Sequence, residues 1–399
     1  MDFYKNSSLV FPEQNSIRFW FIYLISIVFT FQSLLVAYSS STYIENFIDS
    51  AKIGILYSFG ALGSIIIFFL LPIILRRFGN VLTSIGLMVI TIVTLGLIGT
   101  AFNSSLTIIS FIFFLGLSPI IYLNIDIFSE TLIGNNNGET GSKRGLALSL
   151  MSAAAVFSTL SIGWLVGEKS DLSILFYTSM LIGVLFIFII IGAFRHFYDP
   201  IYRNIKVISL IKESWNDLNI RTVFVAHFIL QIFFSWTIIY IPLYLATEVG
   251  LNWLAISKII SVGLFAYVIF EYPIGVIADK YIGEKEMMAV GFFILTIAIA
   301  SISFTAGVGI LSWMLIMFMS RTGASLVETT TESYFFKKVQ GEDANLMSLF
   351  RLLRPLANLA GALLGSISLI FLPFNLIFLV LALFMTGGIF VTTFLEDTK

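Results

Sequence analysis

The sequence predicts an all-α polytopic membrane protein, with twelve transmembrane helices arranged as two pseudo-symmetric six-helix bundles. Three observations predict it. Of 399 residues, 58% are hydrophobic and only 11% charged, with a mean hydropathy of +0.99, a balance foreign to soluble domains. Apolar runs of about 18–25 residues recur from end to end, each long enough to cross a hydrocarbon core. The two halves also echo each other: Gly163 and Gly167 in the fifth run match Gly361 and Gly365 in the eleventh, about half the chain length away.

Taken in order, the spans run roughly 17–40, 51–75, 80–101, 105–131, 145–167, 171–194, 222–245, 255–277, 287–308, 311–335, 345–371 and 374–394. The first sixteen residues are polar and weakly charged, and the run after them is too long for a signal-peptide core, so it counts as span 1. Short charged turns follow span 2 (Leu75 to Gly79) and span 8 (Ala278 to Lys285), which reinforces the repeat. The domains are then a first bundle at 1–194, a cytoplasmic linker at 195–221 and a second bundle at 222–399. In the linker, Val207, Ile208, Ile211, Trp215 and Leu218 recur at helical spacing opposite Lys206, Lys212, Glu213 and Asp217. That pattern predicts an amphipathic surface helix tethering the halves, a plain linker helix being the simpler version.

Basic residues in short loops set the orientation. With the N-terminus inside, Arg76, Arg77, Lys143, Arg144, Arg195, Arg203, Lys206, Lys212, Arg221, Lys280, Lys285, Lys337 and Lys338 are cytoplasmic, and only Lys52, Lys169 and Lys258 fall outside. Both termini are therefore expected in the cytoplasm, with the chain multi-pass in the plasma (inner) membrane.

Composition also narrows the function classes. A net charge of -1 offers no nucleic-acid surface, and the absence of Cys excludes disulfides and thiolate metal sites. His196 and His227 are too few for a metal cluster, and no Gly-Lys-Ser/Thr phosphate loop points to ATP. No loop gathers a convincing His, Asp or Ser cluster, so a membrane enzyme is not expected, nor is a cofactor.

One stretch carries a specific motif. Gly275-Val276-Ile277-Ala278-Asp279-Lys280-Tyr281-Ile282-Gly283-Glu284-Lys285 resembles the loop motif of the major facilitator superfamily, Gly-x-x-x-Asp-Arg/Lys-x-Gly-x-Arg/Lys, with one extra residue before the second Gly. The copy after span 2 departs from it, with Arg76 in the Asp position, Leu71 or Pro72 in the Gly position and Asn80-Val81 in place of basic residues. Span 5 lacks the Gly-Pro element common in drug antiporters, and no Pro-Glu-Ser sugar-porter signature occurs. The resemblance implies two bundles rocking around a central site, spans 1, 4, 7 and 10 as cavity walls, and a gating role for Gly275, Asp279, Lys280, Gly283 and Lys285.

Charges inside apolar runs are the second lead, because each costs roughly 2.5–3.5 kcal/mol at a helix centre on insertion scales. Span 10 carries Arg321, Glu328 and Glu332 on one stripe, and span 11 carries Arg351 and Arg354. Level antiparallel pairing predicts the ion pairs Glu332–Arg351 and Glu328–Arg354, which either line a pathway or lock the two helices together. Arg321 has no carboxylate at its depth in either helix, which makes it a candidate to capture an anionic group, or else a partner of Asp126 or of another helix's backbone. Asp126, in span 4, is expected to lie deep enough for proton coupling, with Glu271 a second candidate or a packing residue near its loop. Glu130 is expected to latch to Arg76 or Arg77. Asp279 is expected to hold the second latch, with Glu342 and Asp343 as possible charge-swapped counterparts. Gln32 in span 1 and His227, Gln231, Trp236 and Tyr240 in span 7 complete a polar and aromatic wall, His227 reading more simply as a solvated interfacial histidine.

The expected function is a secondary active transporter, moving a small organic solute by alternating access with proton coupling. Its partners are then a small-molecule substrate, protons and the bilayer. The alternatives are an efflux carrier for lipophilic or cationic compounds, and a non-transporting receptor or scaffold.

Overall fold

The computed structural model describes residues 12–133, 140–167, 171–202, 215–305, 307–339 and 344–396. The expected amphipathic linker helix lies mostly outside the described residues, as do Glu342 and Asp343 and the side chains of Asp279 and Lys280.

Eleven of the described helices are long and apolar enough to cross a membrane. Span 1 is Pro12–Ala37 and span 4 is Ser104–Ile133. Spans 5 and 6 are Thr140–Val166 and Ser173–Phe194. Span 7 is Leu218–Thr247, span 8 Trp253–Ile277 and span 9 Glu284–Ile302. Spans 10, 11 and 12 are Ile310–Val339, Ala344–Phe371 and Ile377–Thr392.

The remaining helix, Ser50–Thr100, has 51 residues, which at 1.5 Å each would make a rod of about 75 Å, well over twice the hydrocarbon thickness. It is not a straight rod. Gly79 sits at φ 72°, ψ 168°, a conformation essentially reserved for glycine, and breaks the helix there. Both ends return to one short helix, Ser40–Glu45: Ser50 Oγ donates to Glu45 (2.5 Å), and the Tyr43 hydroxyl donates to the Ile98 carbonyl (2.7 Å). The element is therefore a hairpin that carries spans 2 and 3, and it supplies the twelfth crossing.

The matching turn after span 8 shows how the motif's extra residue is absorbed. Ala278–Ile282 forms a π-helical turn closed by Gly283 N–H on the Ala278 carbonyl (3.2 Å), and Gly283 again has positive φ, 102°. One inserted residue widens the last turn, and Gly283 breaks the chain at the place equivalent to Gly79.

Asp199, just past span 6, docks on the first of these turns. Its carboxylate accepts from the Asn80 N–H (2.7 Å) and the Tyr202 hydroxyl (2.5 Å), and Arg76 donates to the Tyr202 carbonyl (3.4 Å). Burial, with the Asp199 hydrogen bond second, raises the Tyr202 phenol above its ordinary range. The first-half turn is thus stabilised by an acid from span 6 at a helix N-terminus, where its charge is favoured.

The halves meet along span 2 against span 11 and span 5 against span 8, with the Ser40–Glu45 helix on span 7. At the Ser50 end the approach is close. A Cβ on Gly54 would fall within 2.0 Å of the Tyr240 hydroxyl, and one on Gly163 within 2.3 Å of Ser257 Oγ. Thr159 and Ser261 share a hydroxyl–hydroxyl bond of 2.7 Å across the same seam.

Candidate functional site

Two chemically different zones lie between the halves. Toward the Ser50 end is a partly open cavity of about 150 Å³, framed by spans 1, 2, 4, 7 and 11. Its polar lining is uncharged: Ser33, Tyr57, Ser64, Ser118, Ser235 and Asn358. Pro119 and Pro355 reach the same cavity from inside spans 4 and 11. Lacking an N–H, Pro119 leaves the Leu115 carbonyl without its helical donor, and the Ser64 hydroxyl lies at 3.4 Å from that oxygen and 3.0 Å from the Gly116 carbonyl. Ser33 and Ser118 face each other at 3.3 Å, and Ser235 donates to the Asn358 carbonyl at 3.2 Å.

Toward the Gly79 end the lining is ionic. Arg351 of span 11 reaches across to span 4, bonding Glu130 Oε1 at 2.5 Å and Asp126 Oδ2 at 3.5 Å. Arg354 lies 3.9 Å from Glu328. The side chains are accessible, 49% for Asp126 and 54% for Arg354, so this zone is wet and its pairs are screened. Glu271 accepts from Ser152 of span 5 at 3.3 Å, a second polar tie between the halves.

Several expectations change in this light. Arg351 pairs with span 4 and not with Glu332, because the cross-bundle carboxylates lie nearer than the one on span 10. Glu130 accordingly meets Arg351, while Arg76 turns to Tyr202 and Arg77 lies over the Phe78 ring at 5.3 Å. Asp126 is half-exposed rather than deep. His227 is not a solvated interfacial residue. It is 3% exposed, packs on the Phe350 ring at 4.1 Å, and lies 3.5 Å from Thr331 Oγ1 and 3.3 Å from Gln231 Nε2. Since the Thr331 hydroxyl donates to the Val327 carbonyl (2.8 Å), it accepts from His227 Nδ1–H, and Gln231 donates to Nε2 of a neutral ring. Gln32 points into the first bundle, 3.6 Å from the Met88 sulfur, and is absent from the cavity wall.

Arg321 is also sealed. It is 1% exposed, donates to Thr237 Oγ1 at 3.1 Å, lies over the Phe233 ring at 5.0 Å, and leaves its buried Nε without a partner. Among the described residues no carboxylate forms an ion pair with it. A desolvated cation over an aromatic face gains roughly 2 kcal/mol, a partial offset for the burial. It faces the interior of the second bundle and does not line the cavity.

Gly275 packs near Thr329, and Glu284, at the start of span 9, is fully buried and ion-paired to Lys337 of span 10. The sequence reading passed over Glu284, Asp199, Tyr57 and Asn358. Glu284 and Asp199 carried a signal, each being an acid beside a turn glycine or an interfacial Pro, whereas a lone Tyr or Asn in an apolar run carries none.

No known family's sequence profile matches the chain, and no curated protein matches it. The fold is matched by a crystal structure of a mutant of the nucleoside transporter NupG, with TM-score 0.76 over 94% of this chain and 99% of that one, at 12% identity. This is the major facilitator fold. At 12% identity the likeness is one of architecture. It leaves the residues of this chain to be read from their own geometry. Within the major facilitator fold, the cavity and the ionic zone lie along the seam between the bundles.

Proposed function

We propose that the chain is a secondary transporter that carries a small organic solute by alternating access and couples the movement to protons. The observation that carries this reading is the single seam with two zones: a cavity closed at the Ser50 end by glycine-mediated helix contacts, and a wet ionic cleft at the other. Glycine contacts close without fixing, since among the described residues spans 5 and 8 are tied by no ion pair, and hydroxyl bonds such as Thr159–Ser261 and Ser152–Glu271 break readily as they part. The ionic cleft is a second closure, made by Arg351 on Asp126 and Glu130. Alternation exchanges one closure for the other. The orientation expected from the basic loops puts the ionic cleft on the cytoplasmic side.

Protons fit the cleft because it gathers carboxylates: among the described residues Asp126, Glu130, Glu271, Glu328 and Glu332 lie there with Arg351 and Arg354. A carboxylate between two bundles that close on it must lose its charge or keep a cation, since an unpaired charge sealed from water is expensive. Glu328 is the group best positioned to take a proton, being 22% exposed with Arg354 only at 3.9 Å. The fold neighbour NupG is a nucleoside transporter, and a nucleoside is one candidate solute here.

The test is proton movement in proteoliposomes loaded with a pH dye as solutes are added. A solute-dependent pH change that Glu328→Gln abolishes, while solute exchange at equal concentrations persists, is the expected result. A dye signal that is flat while labelled solute accumulates removes proton coupling, and absence of any flux favours the receptor reading.

A further inference from the structure

The cavity and the charges are segregated, and the segregation bears on what binds. Every described residue lining the cavity is uncharged, and Arg321, buried on span 10, is bonded to Thr237 and absent from the lining. An ion moved from water into such a place would find no countercharge, and the desolvation of a lone charge costs several kcal/mol.

The unmet hydrogen-bonding capacity of the lining is neutral in character. The Tyr57 hydroxyl is buried beside Ser40 and makes no hydrogen bond of ordinary geometry. The Asn358 side-chain amide, which offers two donors and an acceptor, makes no hydrogen bond among the described residues. Ser33 and Ser118, held at 3.3 Å, add a pair of hydroxyls that both give and accept. Between these groups lie the apolar faces of Phe114, Ile238 and Ile239. At about 150 Å³ the space is well below the roughly 300–1,000 Å³ of sites for drug-sized ligands.

We infer that this cavity binds a small uncharged solute that carries several hydroxyl or amide groups on a compact carbon frame, and that it discriminates against ions. The inference deepens the transport reading and rests on it for passage across the membrane, though not for binding. It replaces the expectation of an anionic solute held by Arg321, because Arg321 is sealed away from the cavity.

The experiment is thermal unfolding of the purified full chain in detergent with D-xylose, uridine, citrate or choline added, followed by xylose and uridine uptake into proteoliposomes. Xylose or uridine is expected to raise the melting temperature, and citrate and choline are not. Asn358→Leu is expected to weaken the binding about tenfold and Tyr57→Phe several-fold, as each removes hydrogen bonds to a buried ligand. Tyr57→Phe removes one oxygen that makes no hydrogen bond of ordinary geometry in the protein, so it reports on the site even if Asn358→Leu does not fold. Stabilisation by citrate or choline alone overturns the inference, as does no response to either uncharged solute, or a response that both variants leave unchanged. Binding without uptake upholds the site and overturns the transport reading; uptake of an ion without uncharged binding does the reverse.

Discussion

Arg351 is the residue on which the cleft closes. It bridges spans 11 and 4 through Glu130 and Asp126, but all three side chains are a third or more exposed, so the bridge is worth about 1 kcal/mol at most. Arg351→Gln is therefore expected to shift the balance toward the open cleft by up to about fivefold without unfolding the protein. The chain has no native Cys, so Ser118→Cys gives a single reporter, and its labelling rate by a small thiol reagent from the cleft side should rise accordingly. An unchanged rate would mean that the bridge does not gate. His227 makes a different kind of prediction. As a neutral ring between Thr331 and Gln231, with Phe350 on its face, it is a packing residue, and His227→Gln should lower thermal stability more than it alters the pH profile of transport. A displaced pH optimum would instead make it part of the proton route.

At the scale of elements, the two turns decide how four spans sit. Gly79 and Gly283 occupy backbone conformations closed to other residues at a cost of about 1–3 kcal/mol. At Gly79 a side chain would also press on Asp199, whose carboxylate lies 2.4 Å from an added Cβ. Gly79→Ala is expected to destabilise the protein by roughly that range, and Asp199→Ala by about 1 kcal/mol through loss of the helix-end hydrogen bond. Thermal unfolding of the two variants and their double would show strong coupling, since both act on one turn. Additive effects would place Asp199 outside it. The π-helical turn before Gly283 shows that an inserted residue need not shift a span: the widened turn takes it up locally.

For the whole molecule, the seam is the working part. Span 5 lies so close to span 8 at Gly163 that a larger side chain cannot fit while that end is closed. Gly163→Trp should hold the Ser50 end apart, slow solute uptake strongly, and raise labelling of Ser261→Cys, which in the closed seam is buried against Thr159. Labelling that stays low would mean that the seam yields elsewhere.

The fold was legible because lipid imposes a simple rule: each crossing needs about 20 apolar residues with every backbone group paired within its helix. Length, hydropathy and Gly79 were therefore enough to count spans, and the motif at Gly275–Lys285 to relate the halves. Charged residues in apolar runs were visible for the same reason, as in Arg321 and Glu328. Their partners were not, because depth along two helices says nothing about which helix is nearest. Glu332 and Arg351 lie level in sequence, yet span 4 presents Glu130 closer. The cavity's Tyr57 and Asn358 were invisible, since an uncharged polar residue costs a membrane helix little and leaves no mark on its pattern. The sequence by itself determined that the chain crosses a membrane as two related bundles. Only the tertiary structure decided which charges meet, that Arg321 is sealed, and that the cavity is neutral, because those depend on how the bundles face each other across a seam between residues distant along the chain.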